Sequence, residues 1–300
     1  MADDLVEVRR RLVREHRETL RELQRLRPSA NLKIAGLAGL WAVGAGLYLA
    51  DLGPLALPVV WTLCTSGLLG MAILMHDAAH GLLARDHRWN RALGFVCGAP
   101  VLIATTAYRV NHIEHHAFTG TDRDTGDPVA HANRTGISVG RLTSIFLILG
   151  TFLVIPAIAH GSWRKADVAQ QRAIAAEYAL ILAGLTVAWA VLPGVFLLHV
   201  WVVPFLVGSL ANNLRSVAEH AFLERTDPVR NARTVLSNPV VRLIQSNVNY
   251  HWEHHLFPGV PWYNLPRLHA LLAHERETLG VPVERGYLGW FVRDVLPRLA

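Results

Sequence analysis

The composition of this chain indicates a membrane protein. Of its 300 residues, 52% are apolar and only 17% are charged, whereas soluble domains carry about 25% charged residues. The only cysteines, Cys64 and Cys97, lie in apolar stretches, which excludes a disulfide scaffold. The net charge of +6 comes from arginines that flank apolar stretches. This arrangement argues against nucleic-acid binding and is typical of the ends of membrane helices.

The chain begins with a charged amphipathic segment, residues 1–30. Leucines and valines recur at helical spacing between arginines and glutamates until Pro28 ends the pattern. The segment is too long and too acidic at its start for a signal peptide. We expect a basic amphipathic helix that is solvated or lies on the membrane surface.

Six apolar stretches follow. They are Ile34–Ala50, Leu55–Met75, Ala92–Tyr108, Leu142–Ala159, Tyr178–Leu192 and Val195–Ala211. The links 51–54 and 193–194 contain no Lys or Arg, whereas arginines crowd the other connections. The positive-inside rule therefore places these two links outside and both termini on the cytoplasmic side.

This charge pattern predicts an all-α integral membrane protein with four transmembrane helices in two hairpins. The first two stretches form one hairpin, and the last two, extended back to residue 174, form the other. The third and fourth stretches have arginine at both ends, so we expect them to be re-entrant or interfacial. Residues 212–300 are too polar to span a bilayer and are expected to form a cytosolic helical cap, integrated with residues 34–211 into one domain.

Nine of the sixteen histidines fall into four groups at metal-ligand spacing. The groups are HDAAH at 76–80, HIEHH at 112–116, His220 alone and HWEHH at 251–255. Helix residues at i, i+3 and i+4 share one face, so each box directs two or three imidazoles to a common point. Imidazole suits iron, zinc, copper and nickel. The candidate ligands are His76, His80, His112, His115, His116, His220, His251, His254 and His255.

The number of grouped imidazoles predicts two metal ions, because a tetrahedral site uses only four ligands. The charge pattern places all four groups on the cytoplasmic side, near the ends of apolar stretches. Single histidines are more often structural. We therefore expect no metal role for His16, His87, His131, His160, His199, His269 and His274.

At these boxes the sequence resembles the membrane fatty acid desaturase family, from about Ile34 to Leu272. The similarity extends into the flanking phrases NHIEHHAFTGTDRDTGDP and NVNYHWEHHLFPGVPWYNLPRLH. The resemblance implies a cytosolic cap over four membrane helices and two iron ions held by the nine histidines. It also implies oxidation of an unactivated C–H bond in a lipid with O2 as co-substrate, first of all desaturation of a fatty acyl chain.

Two departures concern the branch of the family. The first box is HxxxH, whereas stearoyl-CoA-type enzymes have HxxxxH, so the chain is more similar to the acyl-lipid, sphingolipid and carotenoid-modifying branches. Stearoyl-type enzymes also carry an Asn four residues before the lone histidine, where this chain has Ser216. Asn247 or Asn249 can substitute for that Asn near the iron.

Acidic residues beside the ligands have two interpretations. Asp77, Glu114, Glu219 and Glu253 can accept the second imidazole N–H and fix the ring tautomer, or they can face water. Three aspartates follow the second box in a loop with Gly and Pro. They are Asp122, Asp124 and Asp127. The preference of Asp for turns explains their presence, and contact with a basic residue or a lipid headgroup is the alternative.

The chain requires an external electron donor. It has no Rossmann GxGxxG, no CxxCH or HPGG haem motif, and too few cysteines for an iron–sulfur cluster. The resemblance implies ferredoxin, or cytochrome b5 with its reductase. The alternative within the family is a hydroxylase or ketolase of a carotenoid or other apolar lipid. Outside it, the alternatives are a membrane zinc hydrolase, a metal transporter or a scaffold without activity. A transporter would hold ligands inside its crossings, where only His199 lies.

Overall fold

The computed structural model describes residues 5–121, 123–124, 138–223 and 227–298, which are mostly helical. The helices are α1 (Leu5–Glu15), α2 (Arg17–Leu23), α3 (Leu32–Leu49), α4 (Leu57–Ala79), α5 (His87–Gly98), α6 (Thr105–Phe118), α7 (Val139–Lys165), α8 (Val168–Val191), α9 (Gly194–His220), α10 (Pro239–Ile244), α11 (His251–Leu256), α12 (Leu265–Leu271), α13 (Ala273–Thr278) and α14 (Tyr287–Trp290). Two compact units emerge. The first unit holds residues 1–26, 112–150 and 213–300, and the second unit holds 27–111 and 151–212.

Within the described ranges, five helices are long and apolar enough to cross a membrane. They are Pro28–Leu49, Pro54–Ala79, Gly140–Lys165, Val168–Val191 and Gly194–His220. Four of them contain the stretches that the sequence predicted to cross. The other is α7, which was expected to be re-entrant or interfacial. Its 27 residues form one unbroken helix, which rules out a re-entrant loop there and leaves the interfacial form of the prediction.

The other segment expected to be re-entrant or interfacial is broken. Residues 87–101 and 105–118 form two helical parts bent by 97°, and Leu102 at the bend has a φ of +63°. Glu177 of α8 accepts hydrogen bonds from the backbone N–H and the hydroxyl of Thr106, at 2.9 and 2.6 Å. The first N–H groups of a helix lack partners within it. A buried carboxylate of another helix therefore fixes the start of α6, the helix that carries the second box.

Small residues bring α3 and α4 together. A Cβ atom at Gly67 would lie 2.7 Å from the carbonyl oxygen of Leu37 and 3.1 Å from Cβ of Trp41. Close approach of backbones at glycine is the usual way in which membrane helices pack. The indole N–H of Trp41 also donates to the carbonyl of Val200 in α9, at 2.8 Å.

Gly67→Ala is expected to destabilise the protein by about 1–3 kcal/mol, because the added methyl group meets backbone atoms that cannot move aside. The control is Gly39→Ala on α3, where an added Cβ has nothing within 4 Å. Thermal unfolding of the detergent-solubilised protein measures both. A Gly67→Ala variant as stable as Gly39→Ala would show that the α3–α4 contact is not tight.

The N-terminal helices are part of a protein core. Val8, Leu12, Leu20 and Leu23 are buried in the cluster that contains Trp252, Phe257 and Leu268, with the polar face of each helix outward. The guanidinium of Arg11 also bonds to Glu275, at 3.0 Å. The helical periodicity is confirmed, and the apolar face packs on protein and not on a membrane surface. The apolar face is covered by the C-terminal helices, which the sequence pattern could not identify as its partner.

The described residues contain one β-sheet, a short parallel pair of strands. Strand β1 (Thr234–Leu236) pairs with β2 (Val283–Arg285), with Thr234 opposite Val283. Gly286 then turns the chain with a φ of +85°, and α14 continues as helical turns to residue 298. The all-α expectation is thus correct except for these six residues.

Candidate metal centre

Three of the four histidine groups lie in the first unit. The second box is on α6, His220 is the last residue of α9, and the third box forms most of α11. Each box directs its histidines to one side because i, i+3 and i+4 positions coincide on a helix. The structure sorts these seven histidines into two clusters of candidate ligands.

The first cluster, called the four-histidine cluster, consists of His115, His220, His251 and His255. Its ligand nitrogens all lie within 4.8 Å of one another. Nε2 of His251 is 2.8 Å from Nε2 of His220 and 3.1 Å from Nε2 of His255. Nitrogens around one tetrahedral ion at 2.0–2.1 Å are about 3.3 Å apart. The cluster therefore fits a single metal ion.

The second cluster, called the three-histidine cluster, consists of His112, His116 and His254, again within 4.8 Å. Nε2 of His116 is 3.1 Å from Nε2 of His112 and 3.2 Å from Nε2 of His254. The two clusters are neighbours, since the rings of His116 and His255 stack with centroids 4.1 Å apart. The first unit therefore has two adjacent clusters that could each hold a metal ion.

The first box lies in the second unit, at the end of α4. The rings of His76 and His80 have centroids 5.1 Å apart, and their ligand nitrogens lie within 4.8 Å. His76 lies in the last turn of the candidate membrane span Pro54–Ala79, and His80 is the residue directly after it. The i, i+4 spacing thus brings this pair together as the sequence predicted.

The donor set favours a transition metal. Burial, and after it the neighbouring imidazoles, lower the pKa of His255 well below its ordinary value of 6.5, so this ring is neutral at neutral pH. A histidine must be neutral to bind a metal ion. The two clusters contain only imidazoles, which suit iron, zinc, copper or nickel and not calcium or magnesium.

Comparison with known proteins agrees with this geometry. A family described as "Fatty acid desaturase" matches residues 52–287. The chain belongs to the fatty acid desaturase family. The match covers all three histidine boxes and His220.

Named relatives of this desaturase-family chain act on different substrates. The sn-1 oleoyl-lipid 12-desaturase of Arthrospira platensis is 22% identical over 70% of this chain and 66% of its own length. Dihydrorhizobitoxine desaturase of Bradyrhizobium elkanii is 28% identical over 83% of this chain and 77% of its own. Beta-carotene ketolase of Paracoccus sp. strain PC1 is 30% identical over 76% of this chain and 86% of its own.

Acceptor groups lie next to the outer nitrogens of the four-histidine cluster. Nδ1 of His115 is hydrogen-bonded to Asp124 at 2.9 Å, and Nδ1 of His251 lies 3.4 Å from Glu219. Nδ1 of His220 is 3.2 Å from the carbonyl oxygen of Asn231. An acceptor at Nδ1 fixes the tautomer that leaves Nε2 free for a metal. In the second unit, Nδ1 of His76 is 3.5 Å from Asp77.

Asp124 was missed from the sequence, where turn chemistry explained it. It is 2% exposed, and its second carboxylate oxygen accepts from the N–H of Gly120 at 3.3 Å. No local pattern marks it, because the loop that returns it to α6 follows no helical period. Asp122, Asp127 and His131 lie outside the described residues.

Glu219 is anchored by two further groups. It forms a buried ion pair with Arg215, and the hydroxyl of Tyr287 donates to it at 3.3 Å. Burial, and then the nearby Glu219, raise the pKa of Tyr287 well above its ordinary value of 10, so this phenol stays protonated and can donate. These two contacts hold the Glu219 carboxylate beside His251, which supports the interpretation of Glu219 as a partner of a candidate metal ligand.

Glu253 is fully buried, so the water-facing alternative is wrong for it. Its carboxylate accepts from the hydroxyl of Thr234, from Nδ1 of His269 and from Arg276 at 3.0 Å. It thereby ties the third-box helix to α12 and α13. His269 has a structural role, as expected of a single histidine, but its partner could not be found from sequence.

The remaining polar candidates have mixed outcomes. Asn247 donates to the carbonyl of Trp262 at 3.1 Å, and Asn249 donates to that of Val235 at 2.9 Å. Both anchor backbone next to the third box, and their substitution for the missing Asn stays a prediction, as does a role for half-buried Glu114. His199 packs between the rings of Tyr48 and Trp61, as expected of a packed histidine.

Asp124→Asn is expected to lower the iron affinity by about 10–100-fold, because the His115 ring loses the carboxylate that orients it. Iron titration of the metal-free protein measures this affinity. Asp227→Asn is the matched control, since Asp227 bonds to the backbone N–H of Val229 at 2.9 Å. Equal iron affinities for the two variants would remove Asp124 from the metal centre.

Proposed function

We propose that this chain is a membrane-bound non-haem di-iron oxidoreductase that desaturates a fatty acyl chain of a lipid with O2. The single observation that carries the proposal is the sorting of seven imidazoles into two adjacent clusters. In the proposal, the four-histidine cluster holds one iron and the three-histidine cluster holds the other. His76 and His80 complete the nine-histidine set, which is supported by their spacing and by the first box of the family.

The chemistry required is removal of hydrogen from an unactivated carbon. Such a methylene has no acidic proton and no leaving group, so acid–base and nucleophilic catalysis cannot attack it. Iron with O2 supplies oxidising power that no side chain has. The residues of this chain keep the imidazoles neutral, fix their tautomers through Asp124 and Glu219, and place the reacting carbon near the metals. Electrons come from a separate donor, ferredoxin or cytochrome b5.

We propose four crossings, with the boxes and both termini on the cytoplasmic side. In this arrangement α7 lies within one leaflet. Val217 and Ala218 near the end of α9 share a core with Phe146 and Leu147 near the start of α7. Two residues join the end of α7 to α8. If α8 and α9 cross the membrane one after the other, the start of α8 and the end of α9 lie on the same side of the membrane. Both ends of α7 then lie on the same side, which supports four crossings and not five.

Insertion of oxygen is the second candidate reaction. The relative that is 30% identical is a beta-carotene ketolase, so a carotenoid or another apolar lipid is the second candidate substrate class by similarity. Desaturation and oxygenation share the first hydrogen removal. They differ in whether a second hydrogen leaves or oxygen is added, and this depends on how the carbon is placed.

Expression in a host with simple lipids tests the proposed function. Lipids are profiled by mass spectrometry and compared with those of a host that makes His115→Ala. A product that has lost two hydrogens supports desaturation, and a product that has gained oxygen supports the second candidate. Profiles identical to the His115→Ala control, with and without added carotenoid, would contradict both.

A further inference from the structure

The C-terminal segment, residues 287–298, exposes an apolar stripe that the metal centre does not explain. Leu288, Val292 and Leu296 are 71%, 53% and 52% exposed. Their spacing of four residues places them on one side of a helical segment. Trp290 and Val295 are buried, at 1% and 0%. The segment is therefore apolar on both its inner and its outer side, unlike a solvated surface helix.

The inner side of this segment packs against the start of α7. Trp290 and Val295 share a core with Phe146 and Leu147. The carbonyl of Arg298 lies directly against Gly140, the first residue of the α7 membrane segment. Segment 287–298 thus follows the first two turns of α7.

The contact with α7 sets the membrane depth of the segment. Arg141 is the last charged residue before the uncharged run 142–159. Phe146 and Leu147 lie within that run. A helix that lies within one leaflet is buried about 5–10 Å into the boundary of headgroups and acyl chains, so a segment that packs on the start of α7 lies at the same level. Nearby Ile148 is 65% exposed, as expected of a side chain in contact with lipid.

We propose that residues 287–298 lie in the membrane–water interface, with Leu288, Val292 and Leu296 inserted among the lipids around the start of α7. The occupant of the stripe is the lipid surface and not another protein chain. Arg285 and Arg298, both exposed, flank the stripe at the level of the headgroups, where lipid phosphates bind arginine. The inference rests on the proposed membrane position of α7 and is independent of the reaction that the iron centre performs.

Site-directed fluorescence on the full chain tests this contact. Leu288→Cys and Val292→Cys are labelled with an environment-sensitive dye and reconstituted as single molecules in nanodiscs, with or without lipids that carry a nitroxide on the acyl chain. Native Cys64 and Cys97 are fully buried. Any dye that attaches to them is measured on the parent chain after the same labelling reaction. We expect blue-shifted emission at both positions and loss of fluorescence with nitroxide lipid.

Glu277→Cys on α13 is the matched control, because Glu277 is exposed on the polar surface of the same unit. It should show water-like emission that nitroxide lipid does not quench. Water-like, unquenched emission at positions 288 and 292 would overturn the proposal. So would a blue shift that appears only when several molecules share one membrane, since the stripe would then be an interface between copies. Iron content and lipid oxidation, measured on the same samples, report separately on the proposed function.

Discussion

His251→Ala is expected to remove the iron of the four-histidine cluster and to abolish lipid oxidation. Nε2 of His251 lies within 2.8–3.1 Å of those of His220 and His255, so its loss opens the centre of the cluster. Replacing a mere partner of a ligand costs about 10–100-fold, and loss of a ligand should exceed about 100-fold in product formed. Iron per chain and lipid product are measured together on the purified and the expressed variant.

His274→Ala is the matched control for this experiment. His274 is exposed on α13 in the same unit and is absent from both clusters. It should keep full iron content and full product. If His251→Ala retained both as well, the four-histidine cluster would not be a metal site, and the proposed function would lose its main support.

Acidification is expected to release the iron, but only at a pH clearly below 6.5. Burial and the neighbouring imidazoles lower the pKa of His255 well below 6.5, so protons compete poorly with metal at neutral pH. In the unfolded chain this ring titrates at about 6.5. Below that pH the unfolded state binds the extra proton and the folded state does not. The free energy of unfolding therefore falls as the pH drops below about 6.5 and is constant above about 7.5 in this respect.

Iron retained after gel filtration over a series of buffers measures this release, with unfolding by denaturant as the second readout. Glu277→Gln is the control, because Glu277 is exposed and belongs to neither histidine cluster. It should give the same profile as the unchanged chain. Iron lost already above pH 7, or iron and stability unchanged down to about pH 4, would contradict neutral imidazole ligation.

The histidine boxes could be predicted because helical spacing is a local property. The spacing placed His112, His115 and His116 on one face, and the structure confirms that face. It could not predict how the face divides. The i, i+4 pair His112 and His116 stays together, whereas His115 joins His220 and the pair His251 and His255. That division depends on how α6, α9 and α11 meet, which no single helix encodes.

Partners distant in sequence were the main features that sequence reasoning missed. Asp124 reaches His115 through a loop, and Glu253 reaches His269 across sixteen residues. The packing partner of the N-terminal helices was missed for the same reason. A periodic apolar face indicates that it is buried, but it does not identify the residues against which it packs. Apolar stretches were predicted better, since the length and composition of a stretch depend only on its own residues, and the four that were expected to cross fall in helices long and apolar enough to do so.

The metal content of the protein purified without added metal is the most direct test of the account. The four-histidine cluster and the three-histidine cluster predict about two iron atoms per chain by elemental analysis, since each cluster holds one ion. His251→Ala should lose iron, and His274→Ala should not. Zinc in place of iron, or no bound metal in a folded chain, would contradict a di-iron oxidoreductase and favour a hydrolase or a scaffold.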